Sequence, residues 1–206
     1  MKKINLKSKS KNHFIGAWKI DNNQINENLI NFFNQDHENH VHSLDDSNNS
    51  DSKKSDFIRL NISPKRVKEE KLSIFNEYLE YLLECYQDYQ KEWDFLENWN
   101  RVFIGNFFID KFLISGHHEE YHCDRENIDS SHKILSWATF LNDIDDDEGN
   151  IEFKYLNTVI KPKKGTTLIW PSDWTHLYKE NTIKKNEKFV IRGCIHFPDT
   201  ILGSET

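Results

Sequence analysis

Two side chains of metal-binding type stand two residues apart in the run EEYHCDRE at Glu119–Glu126: His122 and Asp124. On an extended segment, residues two apart leave the same face, so one imidazole and one carboxylate can address a single ion while Cys123 points away and packs. A second imidazole from elsewhere would complete the two-His, one-carboxylate facial triad that suits Fe(II) and leaves positions open for other ligands. The same donor set is geometrically legal for a zinc hydrolase. His117-x-Glu119 and His118-x-Glu120 are competing pairs beside it. His122 is preferred because Tyr121–Asp124 follows the turn-like Gly116 region, where a new strand would start.

The second imidazole is found downstream in PKKGTTLIWPSDWTHLYKE, where a Gly165 turn, the apolar strand TTLIW and the turn Pro171-Ser172-Asp173 lead to His176. The last strand, KFVIRGCIHF, divides by parity. Lys188, Val190, Arg192, Cys194 and His196 share one face; Phe189, Ile191, Gly193, Ile195 and Phe197 share the other. If the apolar face packs on helices, Lys188 and Arg192 point inward, where they are unfavourable unless they meet an anion. The competing reading is an edge strand with solvated cations. His196, near the strand end, reads as a packed or rim histidine.

These groups need a scaffold. A short helix is expected around Asn26–Phe33, a strand at Phe57–Ile62 ended by Ser63-Pro64, and a long helix from about Glu69 to Trp93. In that helix Leu72, Phe75, Leu79, Leu82, Tyr86, Tyr89 and Trp93 recur at steps of three and four, a core-facing stripe. After Trp99 the texture changes to short apolar segments between turns: VFIGNFFI, KFLIS, KILSWATFLN, IEFKYL, TVIKP, TTLIW and KFVIRGCIHF. Such spacing predicts a mostly β fold, a sandwich or barrel with helices on one outer face. Residues 1–13 are polar and basic and expected to be disordered. Residues 14–206 are expected to form a single domain, with helical support over 14–98 and a β-core over 99–198. Residues 34–56, rich in Asn, Asp and Ser, read as an exposed, flexible loop in which His37, His40 and His42 are solvated rather than a metal tract.

A chain of 206 residues holds one sizeable core. Its net charge of -7 disfavours a broad nucleic-acid surface. Three scattered cysteines, odd in number and without a C-x-x-C pair, suit reduced thiols. There is no membrane-length apolar run and no signal-peptide core, so a soluble cytoplasmic protein is expected.

In His122-x-Asp124, Glu148-Gly149-Asn150-Ile151-Glu152-Phe153, LIWPSDW, His176 and Lys188, the chain resembles the 2-oxoglutarate and Fe(II)-dependent oxygenase superfamily, and within it the small prolyl 4-hydroxylase-like proteins of bacteria and phages. The resemblance spans roughly Trp99 to Pro198. It implies a double-stranded β-helix (jelly-roll, cupin-like) core packed on N-terminal helices. It implies Fe(II) on His122, Asp124 and His176, with the distal carboxylate of 2-oxoglutarate on Lys188 and Arg192 as a secondary contact. Dioxygen would be consumed, with ascorbate as a candidate reductant, and a C–H bond hydroxylated with release of succinate and CO2. A peptidyl proline is favoured over a small-molecule substrate, with Tyr155, Trp170, Trp174 and Tyr178 as candidate aromatic contacts or core residues. Because ligating imidazoles must be neutral, activity is expected to fail below about pH 6. Two positions depart from the family pattern: Asn150 stands where a second Gly is common, and Phe140 where some relatives place a Tyr hydroxyl. A metal- or ligand-binding β-barrel without turnover is the non-enzyme alternative.

Overall fold

The structure is a computed structural model that describes residues 1–8, 12–42, 57–99, 101–114, 118–144 and 148–198. Local signals start the helices. Asn22 caps α1 (Asn23–Gln35) by accepting from the Ile25 amide at 3.2 Å, and Ile25, Leu29 and Phe33 form its buried stripe. Ser63 accepts from the Arg66 amide at 3.1 Å ahead of α2 (Pro64–Glu69), with Pro64 in the first turn where its missing N–H costs nothing. α3 (Ser73–Glu92) buries Phe75, Tyr78, Leu82, Cys85, Tyr86 and Tyr89. The long helix expected from about Glu69 to Trp93 is α3, which starts four residues later, and Pro64–Glu69 is a separate short helix that was not anticipated. Lys71 takes a left-handed backbone with φ 53°, and the apolar stripe runs on through the break, which hides it from periodicity.

The strands are β1 (Lys2–Lys3), β2 (Gly16–Lys19), β3 (His40–His42), β4 (Phe57–Ile62), β5 (Phe103–Phe112), β6 (His118–His122), β7 (Lys133–Phe140), β8 (Ile151–Phe153), β9 (Thr158–Ile160), β10 (Thr166–Pro171), β11 (Tyr178–Glu180) and β12 (Lys188–His196). They form two antiparallel sheets. The larger runs β1-β2-β10-β7-β12-β5-β4-β3 and the smaller β6-β11-β8-β9. This is a mostly β architecture with a few helices, consistent with a jelly roll.

The larger sheet has two apolar faces. On one, Trp18, Phe107, Trp137 and Ile191 pack with Leu29, Phe33, Phe75 and Leu82 of the helices. On the other, Phe112, Phe140 and Val190 pack with Ile151, Phe153 and Tyr178 of the smaller sheet. Each such side chain contributes roughly 1.5–3 kcal/mol by leaving water. The neighbouring residues Val190 and Ile191 of β12 therefore serve opposite cores, as the parity argument requires.

Two segments are more ordered than expected. Lys2 and Lys3 pair with Lys19 and Trp18, extending the sheet edge, and the Ile4 amide bonds the Ala17 carbonyl at 2.8 Å. His40–His42 pairs with β4, and the His40 ring stacks on Phe33 at 4.2 Å. The remainder of the expected loop, residues 43–56, lies outside the described residues. VFIGNFFI and KFLIS merge into β5. No helix among the described residues is long and apolar enough to cross a membrane.

Candidate functional site

Between the sheets lies a cavity of about 820 Å³, reached by His122 and Asp124. His122 is the last residue of β6 and pairs in register with Tyr178, whose ring lies 4.4 Å from its own. Its Nδ1 is 3.0 Å from the Glu120 carbonyl. A carbonyl only accepts, so Nδ1 carries a proton. Asp124 stands just beyond the strand end. Its Oδ2 accepts from the Ser136 hydroxyl at 2.5 Å and the Tyr178 hydroxyl at 3.3 Å. Ser136 is itself 2.9 Å from the Ser172 hydroxyl. An imidazole tied to a carbonyl and a carboxylate held by hydroxyls are arrangements typical of residues that orient toward a metal. Cys123, between them, is buried, as its parity predicts.

His176 is placed differently. It ends a 3-10 turn, Trp174–His176, which Asp173 caps by accepting from the Thr175 amide at 3.1 Å. The residue is 5% exposed and is not among those lining the cavity. Its Nε2 lies 3.0 Å from the His13 carbonyl and its Nδ1 2.7 Å from the Thr175 hydroxyl. The His13 carbonyl only accepts, so His176 Nε2 carries a proton in this arrangement. Burial lowers its pKa, while the hydrogen bond to His13 opposes that shift. No group of three His, Cys, Asp or Glu side chains among the described residues is arranged to hold a metal ion. As arranged, His122 and Asp124 reach the cavity, whereas His176, expected from the sequence beside them, is bonded to the N-terminal segment.

Deeper in, charges alternate along one chain of contacts. Arg59 grips Asp110 through Nε and Nη2, both at 2.7 Å. Asp110 also accepts from Arg192 Nε at 2.6 Å. Arg192 Nη1 reaches Glu180 at 2.7 Å, and the other oxygen of Glu180 bonds Lys188. Lys188 is fully buried, donates to the Gly149 carbonyl at 3.0 Å and sits 4.4 Å from the centre of the Phe112 ring. Burial pulls the Lys188 pKa down, with Glu180 opposing. Burial also works against the Arg192 charge, but Asp110 and Glu180 outweigh it and raise its pKa.

No family model matches the chain, and no curated protein matches it significantly. Solved structures do. A Pseudomonas putida prolyl-4-hydroxylase aligns with TM-score 0.65 and 13% identity over 91% of this chain and 94% of its own. A Trichoplax adhaerens prolyl hydroxylase, solved with a hypoxia inducible factor oxygen degradation domain peptide fragment, gives 0.64 and 11% over 90% and 84%. The viral collagen prolyl hydroxylase of Paramecium Bursaria Chlorella virus-1, in a 2OG complex, gives 0.57 and 16% over 89% and 96%. The chain has the prolyl hydroxylase fold.

Within the prolyl hydroxylase fold, Lys188 and Arg192 face inward from β12, as read from parity, and Arg192 lines the cavity whereas Lys188 does not. Trp170 and Tyr178 line the cavity, while Trp174 and Tyr155 are exposed. His196 is at the rim, its ring 5.1 Å from that of His132. Phe140 and Ile151 pack between the sheets. His117 lies outside the described residues. Arg59, Asp110, Ser136, Tyr178 as a hydrogen-bond donor, and Glu180 were not anticipated. Arg59 in FIRLNI and Asp110 in FIGNFFIDKF are single charges inside apolar strands, which is the signal that they partner each other.

Proposed function

We propose that this chain is an Fe(II)- and 2-oxoglutarate-dependent dioxygenase of 206 residues that hydroxylates a C–H bond, with a peptidyl proline as the favoured substrate. One observation carries the reading: in a prolyl hydroxylase fold, His122 and Asp124 reach the same inter-sheet cavity, each fixed by a bond that orients it. In this reading the two sheets are the walls of a double-stranded β-helix within a single domain. His122, Asp124 and His176 would hold the iron, which requires His176 Nε2 to leave the His13 carbonyl. Iron with 2-oxoglutarate supplies oxidative decarboxylation to succinate and CO2; the chain supplies ligand geometry and a shielded cavity. A peptide substrate is favoured by the peptide held in the Trichoplax structure and by the exposed Trp174 and Tyr155. Free thiols at Cys85, Cys123 and Cys194 suit a cytoplasmic setting.

The test is anaerobic addition of Fe(II) and 2-oxoglutarate, watching for the visible metal-to-ligand charge-transfer band. The band is expected in the wild type and absent in His122→Ala and Asp124→Ala. Its survival in either variant would remove that ligand from the assignment. Two features favour a second reading, a ligand-binding barrel without turnover: the bond between His176 and His13 and the pairing of Lys188 with Glu180. Coupled appearance of succinate and an oxidised product separates the two.

A further inference from the structure

We propose that the cavity's carboxylate site is built on Arg59 and Arg192, with Lys188 sealed behind Glu180 as a structural cation. The inference rests on the cavity described above and deepens the oxygenase reading by naming what anchors an anionic ligand. An ammonium has three donors. Those of Lys188 are accounted for by Glu180, by the Gly149 carbonyl and by the face of Phe112. Its side chain has no exposed surface and it does not line the cavity. A ligand carboxylate has no direction from which to approach it.

The two guanidiniums differ on each count. Both line the cavity, with side chains 27% and 13% exposed. Arg59 commits Nε and Nη2 to Asp110, and Arg192 commits Nε to Asp110 and Nη1 to Glu180. One terminal nitrogen on each, Nη1 of Arg59 and Nη2 of Arg192, is not used by those acids. Their planes are supported by aromatic rings: Arg59 lies 4.3 Å from the Phe108 centroid and Arg192 5.6 Å from that of Phe112.

Charge accounting gives the ligand its sign. The chain of contacts runs Arg59, Asp110, Arg192, Glu180, Lys188: three cations and two acids, with a cation at each end. Asp124, the next acid, is hydrogen-bonded by Ser136 and Tyr178, and its charge adds to that of Asp110 and Glu180 in supporting Arg192. A carboxylate is the complement of the two guanidiniums at the open end, and burial makes that pairing worth more than it would be in water. The carboxylate has two sources, the far end of 2-oxoglutarate or an acidic group of the substrate.

The experiment uses full-length, metal-free protein, following Trp fluorescence and calorimetry as 2-oxoglutarate or glutarate is titrated in. Glutarate, lacking the keto group, tests the distal carboxylate alone. Arg59→Gln is expected to weaken both ligands about tenfold or more, Arg59→Lys less, and Lys188→Met by no more than about threefold. Protection of Arg59 from phenylglyoxal by either ligand, read by peptide mass, tests the same contact in the unaltered chain. If Lys188→Met abolishes binding while Arg59→Gln and phenylglyoxal reactivity are indifferent, the proposal falls and the oxygenase reading stands. If Arg59-dependent glutarate binding is present but Fe(II) and 2-oxoglutarate yield no succinate, the oxygenase reading falls and the carboxylate comes from another ligand. Absence of binding by folded wild-type protein overturns the site.

Discussion

The Ser136 hydroxyl on β7 lies 2.5 Å from Asp124 Oδ2, a carboxylate placed beyond the end of a different sheet. That bond, with the one from Tyr178, sets which oxygen of Asp124 faces the cavity. Ser136→Ala should therefore lower divalent metal affinity by about 10–100-fold while leaving the fold intact. Mn(II) or Co(II) titration reads the loss directly, and an unchanged affinity would show that the hydroxyl positions nothing.

The His13 carbonyl, 3.0 Å from His176 Nε2, engages the nitrogen that a metal would need. Metal binding by His176 should release residues 13–16, where the Ile15 amide also bonds the His13 ring at 3.1 Å. Hydrogen exchange of these amides is expected to speed up on adding Mn(II) and 2-oxoglutarate. Metal binding without any change there would mean that His176 is not a ligand.

Glu180 holds two cations, Lys188 and Arg192, with almost no exposed surface of its own. Removing its charge strands Lys188 and leaves Arg192 with Asp110 alone. Glu180→Gln should cost about 3–5 kcal/mol in urea unfolding. The double variant with Lys188→Met should lose less than the sum of the two single losses, because each single substitution already removes the bond between the two side chains. Strict additivity would mean that the pair is not coupled.

Alkaline pH should reveal the buried phenols. Burial raises the pKa of Tyr78 and Tyr89, and burial together with Glu152 pushes Tyr121 up to about 12. The folded chain thus favours the neutral phenols. The stability they contribute is complete below the ordinary value of about 10 and drains away as pH climbs past it. Phenolate absorbance from these three should lag behind that of a free tyrosine and then rise together with loss of circular dichroism. A full rise near pH 10 with the dichroism intact would contradict the burial of Tyr78 and Tyr89.

The sequence disclosed what local pattern controls. The parity of β12, the strand at Phe57–Ile62 and the α1 stripe are periodic over enough residues to be read directly. The pairing of Tyr178–Glu180 was hidden because β11 has three residues and follows a 3-10 turn. Lys71, left-handed without being Gly or Asn, carries no breaker signal. The two basic residues of the last strand called for an acid, and the acid was sought outside the chain. Glu180 supplies one from within, through a contact that becomes visible only when β11 and β12 face each other.

β12 lies between β5 and β7, hydrogen-bonded on both sides, with the ionic residues on one surface and the helix-packing residues on the other. Gaining or losing one residue between Lys188 and Arg192 would turn the guanidinium into the helix layer and a large apolar side chain into the ionic one. The register shifts in the β12 ladders fall only after Arg192, at Gly193/Ile195 and Ile195/His196, so the stretch that carries both cations is the one whose length the two layers fix.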